Sequence, residues 1–231
     1  MTAAATTKPI HPERHAMPAA PNHIAGLYAV TPDEPDTRVL AAKVGAALAG
    51  GAKLVQYRNK TAAAALRAEQ AATLQNLCRR HRVPLIINDH LELALEIGAD
   101  GLHLGGDDGS IAAARTRLGP HKILGASCYN VLDKALRAWR EGADYVAFGS
   151  FFASEVKPGA VRAPLGLLTE AKRSVPIPVV AIGGITLENA PQLITAGADA
   201  LGVISAVFAA PDVGAAAKQF SRLFFHKAAT R

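Results

Sequence analysis

The chain has 231 residues, half of them apolar, with a formal net charge of +6 and two cysteines. This length suits one large α/β domain or two small ones, and Cys78 and Cys128 form neither a disulfide framework nor a zinc pattern, which favours a reducing cytoplasm. The sequence lacks a membrane-spanning apolar run, a signal peptide and the interleaved basic and aromatic residues of nucleic-acid-binding proteins. We therefore expect the positive charge to attract small phosphorylated molecules, unless it serves solubility alone.

Residues 1–23 are rich in Ala, Thr, Pro and His and have no apolar periodicity, so we predict a disordered tail there and one domain over residues 24–231. Within that domain, short apolar strands alternate with helical segments. The predicted strands are residues 27–31, 53–57, 85–87, 101–104, 122–126, 144–148, 178–182 and 199–204. A helix follows each strand, and the last helical stretch is predicted to run from residue 205 to about residue 227.

The predicted strands are short, continuous and rich in Val, Ile and Leu, as strands buried on both faces should be. Such an alternation predicts the α/β class and a single-domain (β/α)8 TIM barrel. The alternative is an open doubly wound sheet, but no Gly-x-Gly-x-x-Gly turn follows the first strand. An Ala-Asp pair recurs at Asp100, Asp144 and Asp199, and we interpret it only as an echo of the repeating unit.

Two neighbouring strands end close to carboxylates. Asn88 and Asp89 follow the third strand, and Asp107 and Asp108 follow the fourth. Carboxylates at the same end of neighbouring parallel strands can converge on a hard cation such as Mg²⁺. Asp89 could instead only cap the next helix, but capping does not explain why the pattern recurs. The sequence therefore predicts a magnesium site with Asp89 and Asp108 as ligands.

Other polar or glycine residues follow the remaining strands, where the active sites of barrels gather. Arg58 and Lys60 share one strand end and could clamp a diphosphate beside the metal, although each alone is more often a solvated surface charge. Gly183-Gly184 and Ser205 precede helices, and backbone N–H groups at such positions bind phosphate, although a glycine pair can also serve only a tight turn. Two anion pockets predict a reaction that joins a phosphorylated acceptor to a diphosphate-bearing donor.

In its strand-end motifs the chain resembles the thiamine-phosphate synthase family. The matching segments, in the expected order, are residues 26–31 (GLYAVT), 55–60 (VQYRNK), 87–89 (IND), 101–108 (GLHLGGDD), 125–127 (GAS), 144–149 (DYVAFG), 157–158 (KP) and 181–185 (AIGGI). The resemblance implies an Mg²⁺-dependent transferase that condenses 4-amino-5-hydroxymethyl-2-methylpyrimidine diphosphate with 4-methyl-5-(2-phosphoethyl)thiazole. Thiamine phosphate and pyrophosphate would be the products of a dissociative reaction, in which the C–O bond breaks before the thiazole nitrogen captures the cation.

The resemblance also implies roles for individual residues. It gives Arg58, Lys60, Ser127 and Lys157 catalytic roles, and it makes Asp89 and Asp108 the Mg²⁺ ligands. The substrate-binding residues that it implies are Gln56, Tyr57, Arg58, Asn59, Lys60, Asn88, Ser127, Ser154, Lys157, Gly184, Ile204 and Ser205.

The chain departs from the family at a few positions. The loop before Lys157 often carries a Thr-x-Thr-like pattern in the family but reads Ser154-Glu155-Val156 here. Val156 cannot donate a hydrogen bond and Glu155 would repel phosphate unless it points away, which puts contacts from that loop in doubt. One alternative is a thiazole tautomerase, but that relative uses a histidine shortly after the fifth strand, where this chain has Tyr129. Another is a non-catalytic regulator that binds thiazole phosphate. His103 is predicted to be a packing residue, and the sequence leaves the oligomeric state open, a homodimer included.

Overall fold

The computed structural model describes residues 24–105, 109–153 and 161–225. Within them, eight parallel strands pair in chain order and the last pairs with the first, which closes the sheet into a barrel. The strands are β1 (Gly26–Val30), β2 (Leu54–Tyr57), β3 (Leu85–Asn88), β4 (Gly101–Leu104), β5 (Ile123–Tyr129), β6 (Tyr145–Phe148), β7 (Val179–Ile182) and β8 (Ala200–Val203). The predicted single-domain (β/α)8 barrel is confirmed, and the open sheet is excluded.

Helices connect the strands around the outside of the barrel. They are α1 (Thr37–Ala49), α2 (Ala64–His81), α3 (Leu91–Glu96), α4 (Ile111–Leu118), α5 (Leu132–Arg140), α6 (Gly166–Ser174), α7 (Ala190–Ala196), α8 (Ser205–Phe208) and α9 (Val213–Arg222). The prediction of one final helix was wrong. Pro211 interrupts it, and the side chain of Asp212 caps α9 by accepting a hydrogen bond from the N–H of Ala215. Within the described ranges, no helix is both long and apolar enough to cross a membrane.

Alternation along the strands divides the side chains between two apolar layers. On β2, Leu54 packs inside the barrel, whereas Val55 and Tyr57 pack between the strands and the helices. Because successive residues face opposite sides of a strand, Gln56 faces the interior like Leu54. The barrel interior thus receives every second residue of each strand, and the same rule decides which strand-end residues reach the site.

Three aspartates at the N-terminal ends of strands, Asp100, Asp144 and Asp199, have one role in common, and we call them the rim aspartates. Each carboxylate accepts a hydrogen bond from the backbone N–H of a residue on the preceding strand, at 2.8–2.9 Å. Arg115 also pairs with Asp144, and Lys172 with Asp199. The recurring Ala-Asp pair is therefore more than an echo of the repeat, since it ties neighbouring strands together at the rim opposite the site.

Candidate active site

A cavity of about 1130 Å³ opens at the C-terminal ends of the strands. Most of the predicted site residues that the structure describes line it, and they come from strands on all sides of the barrel. Those that line the cavity are Gln56, Arg58, Lys60, Asn88, Asp89, Ser127, Gly184, Ile204 and Ser205. Asp108, Ser154 and Lys157 lie outside the described residues, so the meeting of Asp89 and Asp108 over one cation stays a prediction.

Two of the predicted substrate-binding residues, Tyr57 and Asn59, do not line the cavity, and their substrate contacts stay a prediction. The hydroxyl of Tyr57 donates to Oε1 of Gln70 on α2 at 2.9 Å. Nδ2 of Asn59 donates to the same oxygen at 3.0 Å, and its Oδ1 accepts from the N–H of Ala62. Both residues are buried between β2 and α2, because alternation turns Tyr57 to the opposite face from Gln56.

The two basic residues after β2 are held by different carboxylates. Nη1 of Arg58 lies 3.1 Å from Oδ1 of Asp33, and Nζ of Lys60 lies 2.7 Å from Oδ2 of Asp89. Asp33 also accepts from the backbone N–H of Lys60 at 2.8 Å. The buried hydroxyl of Thr31 accepts from the N–H of Arg58 and donates to its carbonyl oxygen. Asp33 was not among the predicted site residues, although its position just after the end of β1 could have indicated a role at the site.

Asp89 has an unusual backbone conformation at the cavity wall. Its φ is +64°, a left-handed value that Asp and Asn tolerate better than most residues. Its carboxylate accepts hydrogen bonds from Lys60 and, at 2.6 Å, from Nδ2 of Asn88. Asp89 is not the N-cap residue of α3, because His90 holds that position and its side chain forms no cap hydrogen bond. Capping therefore does not account for an aspartate at this position.

The opposite wall of the cavity is built from backbone. Gly183 and Gly184 have φ values of +91° and +65°. A Cβ atom at Gly183 would collide with Ser150, and one at Gly184 with the backbone of Phe152 and Ala153. Both positions therefore require glycine. Successive residues in such conformations form concave N–H surfaces that suit anions, and Ser205 begins α8 nearby on the cavity wall.

A chain of hydrogen bonds between five side chains crosses the barrel interior, and four of the five line the cavity. Nε2 of Gln56 donates to the hydroxyl of Tyr28 at 2.8 Å, which lies 2.8 Å from the hydroxyl of Tyr145. That hydroxyl lies 2.9 Å from Nδ1 of His103, and Nε2 of His103 lies 2.8 Å from Oγ of Ser127. We call these five side chains the interior chain. The prediction of a packing histidine was incomplete, because His103 stacks on Tyr145 but both of its ring nitrogens also form hydrogen bonds.

Burial keeps the interior chain uncharged. It lowers the pKa of His103 to about 4, against a smaller opposing effect of the negative Asp89. It also raises the pKa values of Tyr28 and Tyr145 above their usual range. At neutral pH the interior chain therefore offers hydrogen bonds without charge, whereas charged side chains of the cavity wall include those of Arg58, Lys60 and Asp89.

Comparison with known proteins gives a consistent result. Residues 27–207 match the TMP-TENI family model, described as thiamine monophosphate synthase. A thiamine-phosphate synthase of Thiobacillus denitrificans is 58% identical over 86% of this chain and 94% of its own length. One of Nitrosospira multiformis is 54% identical over 92% of this chain and 93% of its own length.

A solved structure agrees with both. The thiamine phosphate pyrophosphorylase from Pyrococcus furiosus superposes with a TM-score of 0.79 at 36% identity, over 88% of this chain and 97% of that one. These three matches thus cover 86–92% of this chain. The cavity geometry and these matches together lead to one conclusion: the chain belongs to the thiamine monophosphate synthase family.

Proposed function

We propose that the chain is a thiamine-phosphate synthase that condenses 4-amino-5-hydroxymethyl-2-methylpyrimidine diphosphate with 4-methyl-5-(2-phosphoethyl)thiazole, releasing pyrophosphate. The observation that carries the proposal is a single cavity lined by a basic pair, a carboxylate and a diglycine turn. The reaction needs those features, because it brings a diphosphate and a phosphate monoester together. The high identity to relatives named thiamine-phosphate synthase supports the same transferase activity.

The donor diphosphate would bind at Arg58 and Lys60. Guanidinium and ammonium groups form strong charge-assisted hydrogen bonds with phosphate oxygens. Asp33 and Thr31 hold the backbone and side chain of this segment, so Arg58 is positioned before substrate arrives. The side chain of Lys60 is 48% exposed and can exchange Asp89 for a phosphate oxygen with little desolvation. Charge that builds up on the departing diphosphate would be stabilised by these two residues.

Asp89 fits a role in holding Mg²⁺. Its carboxylate supplies the hard oxygen that this ion prefers, and it lies on the cavity wall within hydrogen-bond distance of Lys60. Asp108 is the second ligand that the sequence predicts. The ion would neutralise charge on the diphosphate as it leaves.

The reaction would be dissociative. The bond between the pyrimidine methylene carbon and the diphosphate oxygen breaks first, and the thiazole nitrogen then donates its electron pair to the resulting cation. This sequence needs no protein nucleophile and no strong general base. The uncharged interior chain is consistent with that requirement, since His103 with a pKa of about 4 is a weak base at neutral pH. The thiazole phosphate would bind at Gly184, Ile204 and Ser205 on the opposite wall.

The test is to incubate the purified protein with both substrates, with and without Mg²⁺, and to measure pyrophosphate and thiamine phosphate. We expect both products only when both substrates and the metal are present. Isomerisation of a thiazole precursor would instead indicate the tautomerase, and binding of thiazole phosphate without turnover would indicate the regulator. The cytoplasmic location and the homodimer stay predictions.

A further inference from the structure

The hydrogen bonds of the interior chain all point the same way, from donor to acceptor. This direction follows from the number of protons that each side chain can donate. Nε2 of Gln56 donates to the oxygen of Tyr28, so the proton of Tyr28 needs a different acceptor. Tyr28 is 2% exposed, and among the described residues Tyr145 is the only other partner of its hydroxyl. A buried hydroxyl without an acceptor costs about 1–3 kcal/mol. Tyr28 therefore donates to Tyr145.

The next two steps follow from the first. Tyr145 accepts from Tyr28 and donates its own proton to Nδ1 of His103. Nδ1 therefore carries no hydrogen, and the proton of the neutral imidazole is on Nε2. Nε2–H then donates to Oγ of Ser127. If His103 were instead protonated on Nδ1, Tyr145 would have to donate to Tyr28, and the proton of Tyr28 would have an acceptor only if the amide of Gln56 turned its Oε1, rather than Nε2, towards it.

We propose that the interior chain has this single direction, and that Tyr28, Tyr145 and His103 are positioning residues which fix the hydrogen-bonding character of Gln56 and Ser127. Because Ser127 accepts from His103, its own proton is available to a ligand in the cavity. Because Gln56 donates inwards through Nε2, its carbonyl oxygen is available as an acceptor. Both ends of the interior chain line the cavity.

The barrel reserves space for this arrangement. A Cβ atom on Gly125 would overlap the ring and hydroxyl of Tyr145, so the glycine leaves the volume that the phenol fills. The rings of Tyr28 and Tyr145 meet edge to face at 5.9 Å, and that of His103 stacks on Tyr145 at 5.5 Å. The three rings support each other in fixed orientations, as positioning requires.

The consequence for substrate rests on the proposed function. A ring that carries an amino group and basic nitrogens offers a donor for the oxygen of Gln56 and an acceptor for the hydroxyl of Ser127. If the direction were reversed, Gln56 would present an N–H donor to the ligand. Ser127 would donate its proton to His103 and could offer the ligand only an acceptor. The same five residues would then match a ring with the opposite hydrogen-bonding pattern.

The test uses the free protein and the ¹⁵N chemical shifts of His103, which distinguish a ring nitrogen that carries a proton from one that does not. In the wild type we expect the proton on Nε2. Gln56→Glu places an acceptor beside Tyr28. Once the new carboxyl is ionised, every hydrogen bond of the interior chain should reverse its direction, and the proton of His103 should move to Nδ1. Gln56→Met provides no acceptor and should leave the proton on Nε2.

Tyr57→Phe is the matched control, because it removes a hydroxyl from the outer face of the same strand and should not change the His103 shifts. A wild-type proton on Nδ1, or a Gln56→Glu variant that keeps it on Nε2 through the neutral and alkaline range, would overturn the proposal. The measurement needs no substrate, so its failure is distinct from failure of the proposed reaction. Tyr145→Phe removes a hydroxyl from the middle of the interior chain. Because the interior chain positions Gln56 and Ser127 for the pyrimidine ring, this variant should raise KM for the pyrimidine substrate more than KM for the thiazole.

Discussion

The two rims of the barrel use aspartate differently. At the N-terminal rim, each rim aspartate accepts a hydrogen bond from a backbone N–H. At the C-terminal rim, the carboxylate of Asp89 accepts hydrogen bonds from the side chains of Lys60 and Asn88. A backbone N–H is held in place by the fold and a ligand cannot displace it. A carboxylate that accepts from such a donor therefore has a structural role. Lys60, which contacts Asp89, is a long and half-exposed side chain that a ligand can displace. The side chains of Asp144 and Asp89 are almost equally exposed, at 13% and 14%. The type of hydrogen-bond donor therefore distinguishes a structural aspartate from a candidate site aspartate better than burial does.

The largest effect should come from the C-terminal rim. Asp89→Asn keeps a residue that tolerates a φ of +64° but removes the charge. If Asp89 holds Mg²⁺, loss of that ligand should lower kcat/KM by roughly 100-fold or more. The free energy of unfolding should change little. Assays at several Mg²⁺ concentrations, together with urea unfolding, would check both, and activity equal to that of the wild type would remove Asp89 from the metal site.

Arg58→Ala should weaken one substrate selectively. Hydrogen bonds to charged groups contribute about 1.5–3 kcal/mol, so KM for the diphosphate substrate should rise roughly 10- to 100-fold. KM for the thiazole phosphate should change much less. Arg117→Ala is the matched control, because it removes the same charge from an exposed ion pair with Glu92 on the outer surface. Equal weakening of both substrates would contradict two separate anion pockets.

At the N-terminal rim, Asp144→Asn should affect stability rather than catalysis. The change removes the negative charge that pairs with Arg115, which then has only backbone carbonyl acceptors, and it weakens the hydrogen bond from the N–H of Leu124. We expect the free energy of unfolding to fall by about 2–3 kcal/mol, with kcat/KM per folded molecule unchanged. Urea unfolding and an activity assay would test this, and Glu92→Gln on the exposed ion pair should change stability little. A fall in kcat/KM without loss of stability would abolish the contrast between the rims.

The smallest effect concerns the interior between the rims. Burial lowers the pKa of His103 from 6.5 to about 4, so the unfolded chain binds a proton that the folded chain does not between those values. Stability that depends on neutral His103 is present above pH 6.5 and is lost as the pH falls towards 4. Between pH 7 and 5.5 the loss should be roughly 1 kcal/mol. Urea unfolding at both pH values would measure it, and the difference should shrink in His103→Asn. If it persists there, another group is responsible.

The barrel and the side of it that carries the site were predictable because they depend on local patterns. The runs that became β3 and β7 were short, apolar and ended in polar or glycine residues, and strand ends share one rim whatever the register. The sequence did not indicate that the side chains of Tyr57 and Asn59 turn away from the cavity, because a motif does not state which face each residue takes. The interior chain could not be predicted, since its members come from five strands and meet only when the barrel closes. Asp33 was missed because one aspartate after a proline is typical of any turn.

The contact between Gly125 and Tyr145 also constrains how this sequence can drift. Any side chain at position 125 needs the volume that the phenol occupies, so no single substitution there is tolerated while the tyrosine remains. A smaller residue at position 145 would have to come first, and it would empty the middle of the barrel before anything could refill it. Homologous sequences should therefore change these two positions together or leave both alone.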